Sequence, residues 1–153
     1  VVADESGLSS PPPDLGVSPY EVLIIASLIE EEAALEEERG KIARVIYNRL
    51  ANSIPLGIDA TIVYALGGDR ELTLSDLAVD SPYNTRLVQG LPPTPISAPG
   101  RASINAALNP AVGNWFYYVR TDESGIGSHT FVETQEEFDA AVLICIERDL
   151  GCG

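Results

Sequence analysis

The sequence predicts one α+β domain, a helical core around a buried central helix with a small antiparallel β-hairpin. Three features carry that prediction. Val22 to Ile29 is apolar nearly all round, Trp115 to Val119 is aromatic and β-branched, and no segment repeats. At 153 residues and 45% hydrophobic content, the chain can build one sizeable core and is too short for two ordinary ones.

Residues 1–16 contain Ser9-Ser10-Pro11-Pro12-Pro13 and few large apolar groups, so they form a linker or extended lead-in, with the domain proper at 17–153. Ser18-Pro19-Tyr20-Glu21 then combines an N-cap serine, a first-turn proline and a capping-box glutamate, flanked by Val17 and Val22 as a hydrophobic staple. The central helix starts there. A second helix spans Glu36 to Leu50, with Ile42, Val45, Ile46 and Leu50 on one stripe and Glu37 paired to Lys41. Short helical pieces follow around Ile62 to Ala65 and Leu74 to Ala78. Four prolines between Gly90 and Gly100 predict a rigid loop.

Arg101 to Leu108 is a further helix, stopped by Asn109-Pro110. The strand at Trp115 to Val119 turns over Asp122 to Gly127 into a second strand, Ser128 to Val132. Thr134-Gln135-Glu136-Glu137 repeats the capping-box pattern and opens a last helix, with Phe138, Val142 and Cys145 inward and Gly151 beyond its end.

Charge and composition remove several kinds of function. With 23 acidic against 9 basic residues the formal charge is −14, which repels nucleic-acid phosphates and anionic headgroups, so no nucleic acid is expected as a partner. Lys41 is the only lysine and His129 the only histidine, which leaves carboxylates to carry any chemistry and excludes multi-histidine metal sites. Cys145 and Cys152 lack the spacing of a zinc site; a small disulfide loop in an oxidising compartment and two free thiols are both open. No apolar run is long enough to span a bilayer, so membrane attachment is expected only through an anchor preceding Val1.

Glu30 lies seven residues after Leu23 and four after Ala26, which places it on the buried side of the central helix. Burial and the adjacent Glu31 and Glu32 would disfavour its ionised form, as a general acid requires. Read alone, the three glutamates equally suit a solvated end to the apolar run. His129 suits either substrate orientation or a bond within the hairpin. Tyr83, Asn84 and Thr85 are dense in hydrogen-bonding groups, as both surface turns and sugar-binding rims are. Gly125-Ile126-Gly127 precedes no helix and is turn chemistry, not a phosphate loop.

An ordered set of segments resembles the MltG (YceG-like) family. It comprises Ala26-Ser27-Leu28-Ile29-Glu30-Glu31-Glu32, Glu38-Arg39, Val45-Ile46-Tyr47-Asn48-Arg49-Leu50, Asp59-Ala60-Thr61-Ile62-Val63-Tyr64, Pro82-Tyr83-Asn84-Thr85, Gly90-Leu91-Pro92-Pro93-Thr94-Pro95-Ile96 and Gly127-Ser128-His129-Thr130-Phe131. Gly57 and Ile58 depart from it, standing where the family carries polar residues.

The resemblance implies an endolytic lytic transglycosylase that cleaves the β-1,4 bond between N-acetylmuramic acid and N-acetylglucosamine and leaves 1,6-anhydro ends, with no metal or cofactor. It implies Glu30 as the acid/base, and Tyr83, Asn84, Thr85 and His129 as sugar-groove residues. Asp59 is either a helix cap or a substrate contact. Peptidoglycan glycan strands are the implied partner, with cell-wall synthesis proteins as further ones, on the extracytoplasmic side of a bacterial cell membrane. The non-enzymatic alternative is a glycan-binding or divisome-docking module. A pyridoxal-phosphate lyase would need a Schiff-base lysine, and Lys41 is placed on a charged helix side.

Overall fold

The structure, a computed structural model, describes residues 10–121, 127–150 and 152. The first part of the lead-in, most of the hairpin turn and Gly151 lie outside the described residues. Helix α1 spans Pro19–Glu32 and begins with the expected capping box: the Ser18 hydroxyl accepts from the Glu21 amide, and the Glu21 carboxylate accepts from the Ser18 amide, both at 3.1 Å. Val22, Ile25, Leu28 and Ile29 are fully buried, so α1 is the central helix of the domain.

A 3₁₀ turn at Glu36–Glu38 leads into α2, Arg39–Ala51. Helix α3 covers Asp59–Ala65 and α4 covers Arg101–Leu108; the Leu74 to Ala78 stretch contributes only a 3₁₀ turn, Asp76–Ala78. Helices α1, α2 and α4 pack on one another around Ile25, Leu28, Ile42, Ile46, Ile104 and Ala107. Strands β1, Tyr117–Arg120, and β2, His129–Val132, form an antiparallel hairpin in which Tyr118 faces Phe131 and Arg120 faces His129. Helix α5, Gln135–Glu147, is capped by Thr134, whose hydroxyl accepts from the Glu137 amide. It buries Ala141 and Cys145 against Val119, which makes a second, smaller core.

The proline loop is tied to α1 through Ser27, whose hydroxyl accepts from the Ile96 amide at 3.0 Å while its carbonyl accepts from the Ser97 hydroxyl at 3.0 Å. The end of α4 and the segment between it and β1 are held by side chains of α2. Tyr47 donates to the Ala107 carbonyl, Asn48 to those of Gly113 and Trp115, and Arg49 to that of Phe116. Backbone that cannot pair with itself is thereby satisfied, as buried carbonyls require. Lys41 lies 5.5 Å over the rings of Trp115 and Phe131, a cation–π position, where a helical pair with Glu37 was expected. Cys145 and Cys152 form a disulfide.

Candidate functional site

A cleft of about 320 Å³ opens where the hairpin meets the ends of the helices, with Glu32, Tyr118 and His129 on one side, Asp59, Arg86 and Gly57 on another, and Phe138, Val142 and Cys152 closing it. Its position follows from two tight approaches. Gly127, at φ +87°, brings the start of β2 so close to the end of α1 that a Cβ there would stand 2.8 Å from the Ala34 Cβ. Gly57, at φ +62°, turns the chain into α3 and donates its amide to the Thr85 carbonyl at 2.9 Å.

Glu32 is the last residue of α1, and it opens on the cleft while protein packs densely round its carboxyl. The Tyr118 hydroxyl donates to it at 2.5 Å. Burial holds the carboxyl above the ordinary carboxylate range, opposed by the Tyr118 hydrogen bond and the His129 imidazole and reinforced by the charges of Asp59 and Glu31. Burial and the Glu32 charge push the Tyr118 phenol well above its usual value in turn. The tyrosine therefore stays a donor.

Glu30 is placed differently. Two residues along a helix is about 200°, just over a half-turn, so Glu30 and Glu32 point to different sides of α1. The Glu30 side chain is 29% exposed and accepts from the Gly100 amide, the N-cap of α4, at 2.6 Å, with the Arg39 guanidinium at 3.8 Å. Arg39 in turn donates to Ser103 on α4. This corrects the expectation of an enclosed Glu30 carboxyl, because the face that Glu30 shares with Ala26 meets the start of α4 and not the hairpin. Both glutamates are half-buried, and the one that lines the cleft is Glu32.

Of the other expected groups, Asp59 and His129 line the cleft. Asp59 is the first residue of α3 and holds Arg86 through two contacts, at 2.6 Å and 3.0 Å. Asn84 and Thr85 do not reach it. Asn84 is fully buried and donates to the Leu77 and Val79 carbonyls, while Thr85, 1% exposed, accepts from the Ile58 amide and bonds Thr61. Their polarity serves the irregular chain around them, which corrects the sugar-rim expectation for both. The Tyr83 hydroxyl bonds that of Thr94 at 2.7 Å and its ring packs on Tyr64 at 5.2 Å, away from the cleft lining.

Two cleft-side groups were not anticipated in their roles. Glu38, only 7% exposed, accepts from the His129 amide at 2.8 Å and from His129 Nδ1 at 2.9 Å. It stands in the run Glu36-Glu37-Glu38, which looks like a solvated charge cluster, so no local signal separates it from its neighbours. Arg49 lines the cleft, and its Nε and Nη1 donate to the Phe116, Pro55 and Leu56 carbonyls.

A profile of the YceG-like family matches residues 5–143. The chain belongs to the YceG-like family. Members of that family similar to it include the endolytic murein transglycosylase of Bacillus subtilis (strain 168), 42% identical over 126 residues, and that of Streptococcus pneumoniae serotype 2 (strain D39), 36% identical over 128 residues. These alignments cover 82% and 80% of this chain, which spans 34% and 23% of the length of the two relatives. The crystal structure of the yceG-like protein lmo1499 from Listeria monocytogenes superposes with a TM-score of 0.78 at 37% identity, over 91% of this chain and 43% of that one. The α+β architecture is thus that of a solved YceG-like protein.

Proposed function

We propose that this domain is the catalytic part of an endolytic lytic transglycosylase acting on peptidoglycan glycan strands, with Glu32 in the acid/base role that the family resemblance implied for Glu30. The observation that carries the reading is the Glu32 carboxyl: enclosed, hydrogen-bonded to a tyrosine that remains protonated, and open to a cleft large enough for sugar. The relatives named as endolytic murein transglycosylases support the reaction class.

In this reading the substrate's glycosidic oxygen lies against Glu32. A carboxyl whose pKa burial raises is better suited to protonate that oxygen as the bond to C1 of N-acetylmuramic acid breaks. The muramyl C6 hydroxyl then attacks C1, and its proton must be removed to complete the 1,6-anhydro ring. The substrate's own hydroxyl replaces the water of ordinary glycosidases, so a second carboxylate placed to activate water is unnecessary. Asp59 and Arg86 neutralise each other on the opposite wall and present polar edges to the sugar. A purely glycan-binding module would gain nothing from a carboxyl whose pKa burial raises.

The Cys145–Cys152 disulfide supports an extracytoplasmic, oxidising location for the domain. No helix among the described residues is long and apolar enough to cross a membrane, and tethering through a segment ahead of Val1 remains part of the proposal, to be tested by fractionating the full-length gene product. Mass spectrometry of muropeptides released from purified sacculi tests the activity. Products with 1,6-anhydro ends, internal to the glycan strands, are expected; hydrated reducing ends or no release would defeat the reading.

A further inference from the structure

We propose that His129, held by the buried Glu38 carboxylate, is the base that removes the C6-hydroxyl proton, so that proton donation and proton removal are divided between Glu32 and His129. The inference rests on the transglycosylase reading and deepens it. A carboxylate only accepts hydrogen bonds, so the contacts from Glu38 to the His129 amide, 2.8 Å, and to Nδ1, 2.9 Å, place the ring and assign the Nδ1 proton. Nε2 is left as the ring's acceptor, and His129 lines the cleft. A carboxylate behind an imidazole is the arrangement that orients a histidine base and stabilises the imidazolium it becomes. Glu38 makes these contacts from 91 residues away and is itself buried, which a casual surface pair would not be.

Glu32 and His129 flank one side chain. Tyr118 donates to Glu32 at 2.5 Å, and its ring stands edge-on to the imidazole at 5.3 Å between centroids. Acid and base are therefore held at separate points, one for the leaving oxygen and one for the attacking hydroxyl. In the first step the Glu32 proton passes to the glycosidic oxygen and the C1–O bond breaks, its electron pair leaving with that oxygen and C1 becoming oxocarbenium-like. In the second the C6 oxygen forms its bond to C1 on the face the leaving group has vacated, and its proton passes to Nε2. Glu32 ends as carboxylate and His129 as imidazolium, and transfer of one proton between them through solvent restores both. Ionisable groups near the ring are Glu38 before α2, Glu32 on α1, Tyr118 on β1, Arg120 opposite His129 across the hairpin, and the Asp59–Arg86 pair on the far wall. Glu38 is a positioning residue.

The test follows anhydro-muropeptide release by the whole domain as a function of pH, with circular dichroism at each pH as the fold check. His129→Gln should lower kcat by at least about 10²-fold with KM changed little, and should lose the fall in rate on the acid side that a neutral imidazole base imposes. Imidazole in the buffer should restore part of the rate to His129→Ala. Glu38→Gln, which removes the charge that orients the ring, should lower kcat with KM changed little, and Glu38→Asp should lower it less. A His129→Gln enzyme with wild-type kcat, or one with raised KM and an unchanged acid limb, would overturn the inference while leaving the transglycosylase reading intact. Should His129→Gln not fold, a wild-type profile without an acid limb overturns it equally. A wild-type domain that releases no anhydro products defeats the underlying reading instead.

Discussion

The Tyr118 hydroxyl donates to a carboxylate oxygen of Glu32 at 2.5 Å, joining the hairpin to the end of the central helix across 86 residues of sequence. That contact decides which of three consecutive glutamates faces the cleft. It leads to the most direct comparison. Glu32→Gln keeps the shape and can still accept from Tyr118 but cannot transfer a proton, so anhydro-muropeptide release should fall by roughly 10²-fold to 10⁴-fold. Glu30→Gln should retain most activity, its carboxyl being engaged with Gly100 and Arg39. The reverse ranking, with both variants folded by circular dichroism, would return the acid/base role to Glu30.

The same carboxyl gives a stability signature. Its folded-state pKa is raised, chiefly by burial, so the folded protein holds this proton to higher pH than the unfolded chain does. Stability from this group is fully present below the unfolded glutamate value of about 4.3 and is lost as pH rises through the raised folded value. Glu32→Gln does not titrate and escapes that loss. Thermal melts should therefore show the variant gaining on the wild type between pH 4 and pH 7.5. A difference in Tm that is constant over this range would contradict the enclosed carboxyl.

Much of the fold was legible before any coordinates, and the reason is local. The Ser18 capping box, the Thr134 cap and the apolar run of α1 are short-range signals whose physics is complete within a few residues, and each appears where expected. The 3₁₀ turn replacing a helical piece before Val79 is the weakest such signal, three residues without a side-chain cap. The site was harder to read. Helical periodicity places Glu30 on the face of Ala26, but it cannot say that the hairpin docks on the other side, because the groups that define that side, Tyr118 and His129, lie some ninety residues on. Glu38 was hidden for the same reason, and Asn84 and Thr85 misled because polar residues in an irregular segment serve the backbone as often as a ligand.

That last point is measurable. Asn84→Ala would leave the half-buried Leu77 and Val79 carbonyls without their donor and the Arg86 amide without its acceptor, at a cost of about 1–3 kcal/mol for the groups so stranded. Urea unfolding should show that loss in the midpoint. For the fraction that remains folded, KM for glycan should be near the wild-type value, since the side chain is fully buried. A several-fold rise in KM without a change in stability would restore Asn84 to the sugar groove.

The disulfide links stability to the cleft in a way neither cysteine shows alone. Cys145 is fully buried beneath Val119 and Ala141, while Cys152 reaches the cleft lining beside Phe138 and Val142. The bond closes a short loop, with a sequence separation of 7, so chain-entropy arguments give it about 2 kcal/mol. For a domain of this size that corresponds to roughly 4 to 8 °C in Tm. Protein purified without reductant should be lighter by two hydrogens than the reduced form, and Cys152→Ser should melt lower by that amount. The tail no longer pinned would leave part of the cleft lining less ordered, so KM for glycan should rise while kcat, which the proposal assigns to Glu32, changes little. Reductant should reproduce both effects in the wild type and have no effect on Cys152→Ser. If reductant shifts the melt of both proteins equally, the effect does not come from this bond; if Tm falls while KM stays fixed, the tail is a brace for α5 and takes no part in the cleft.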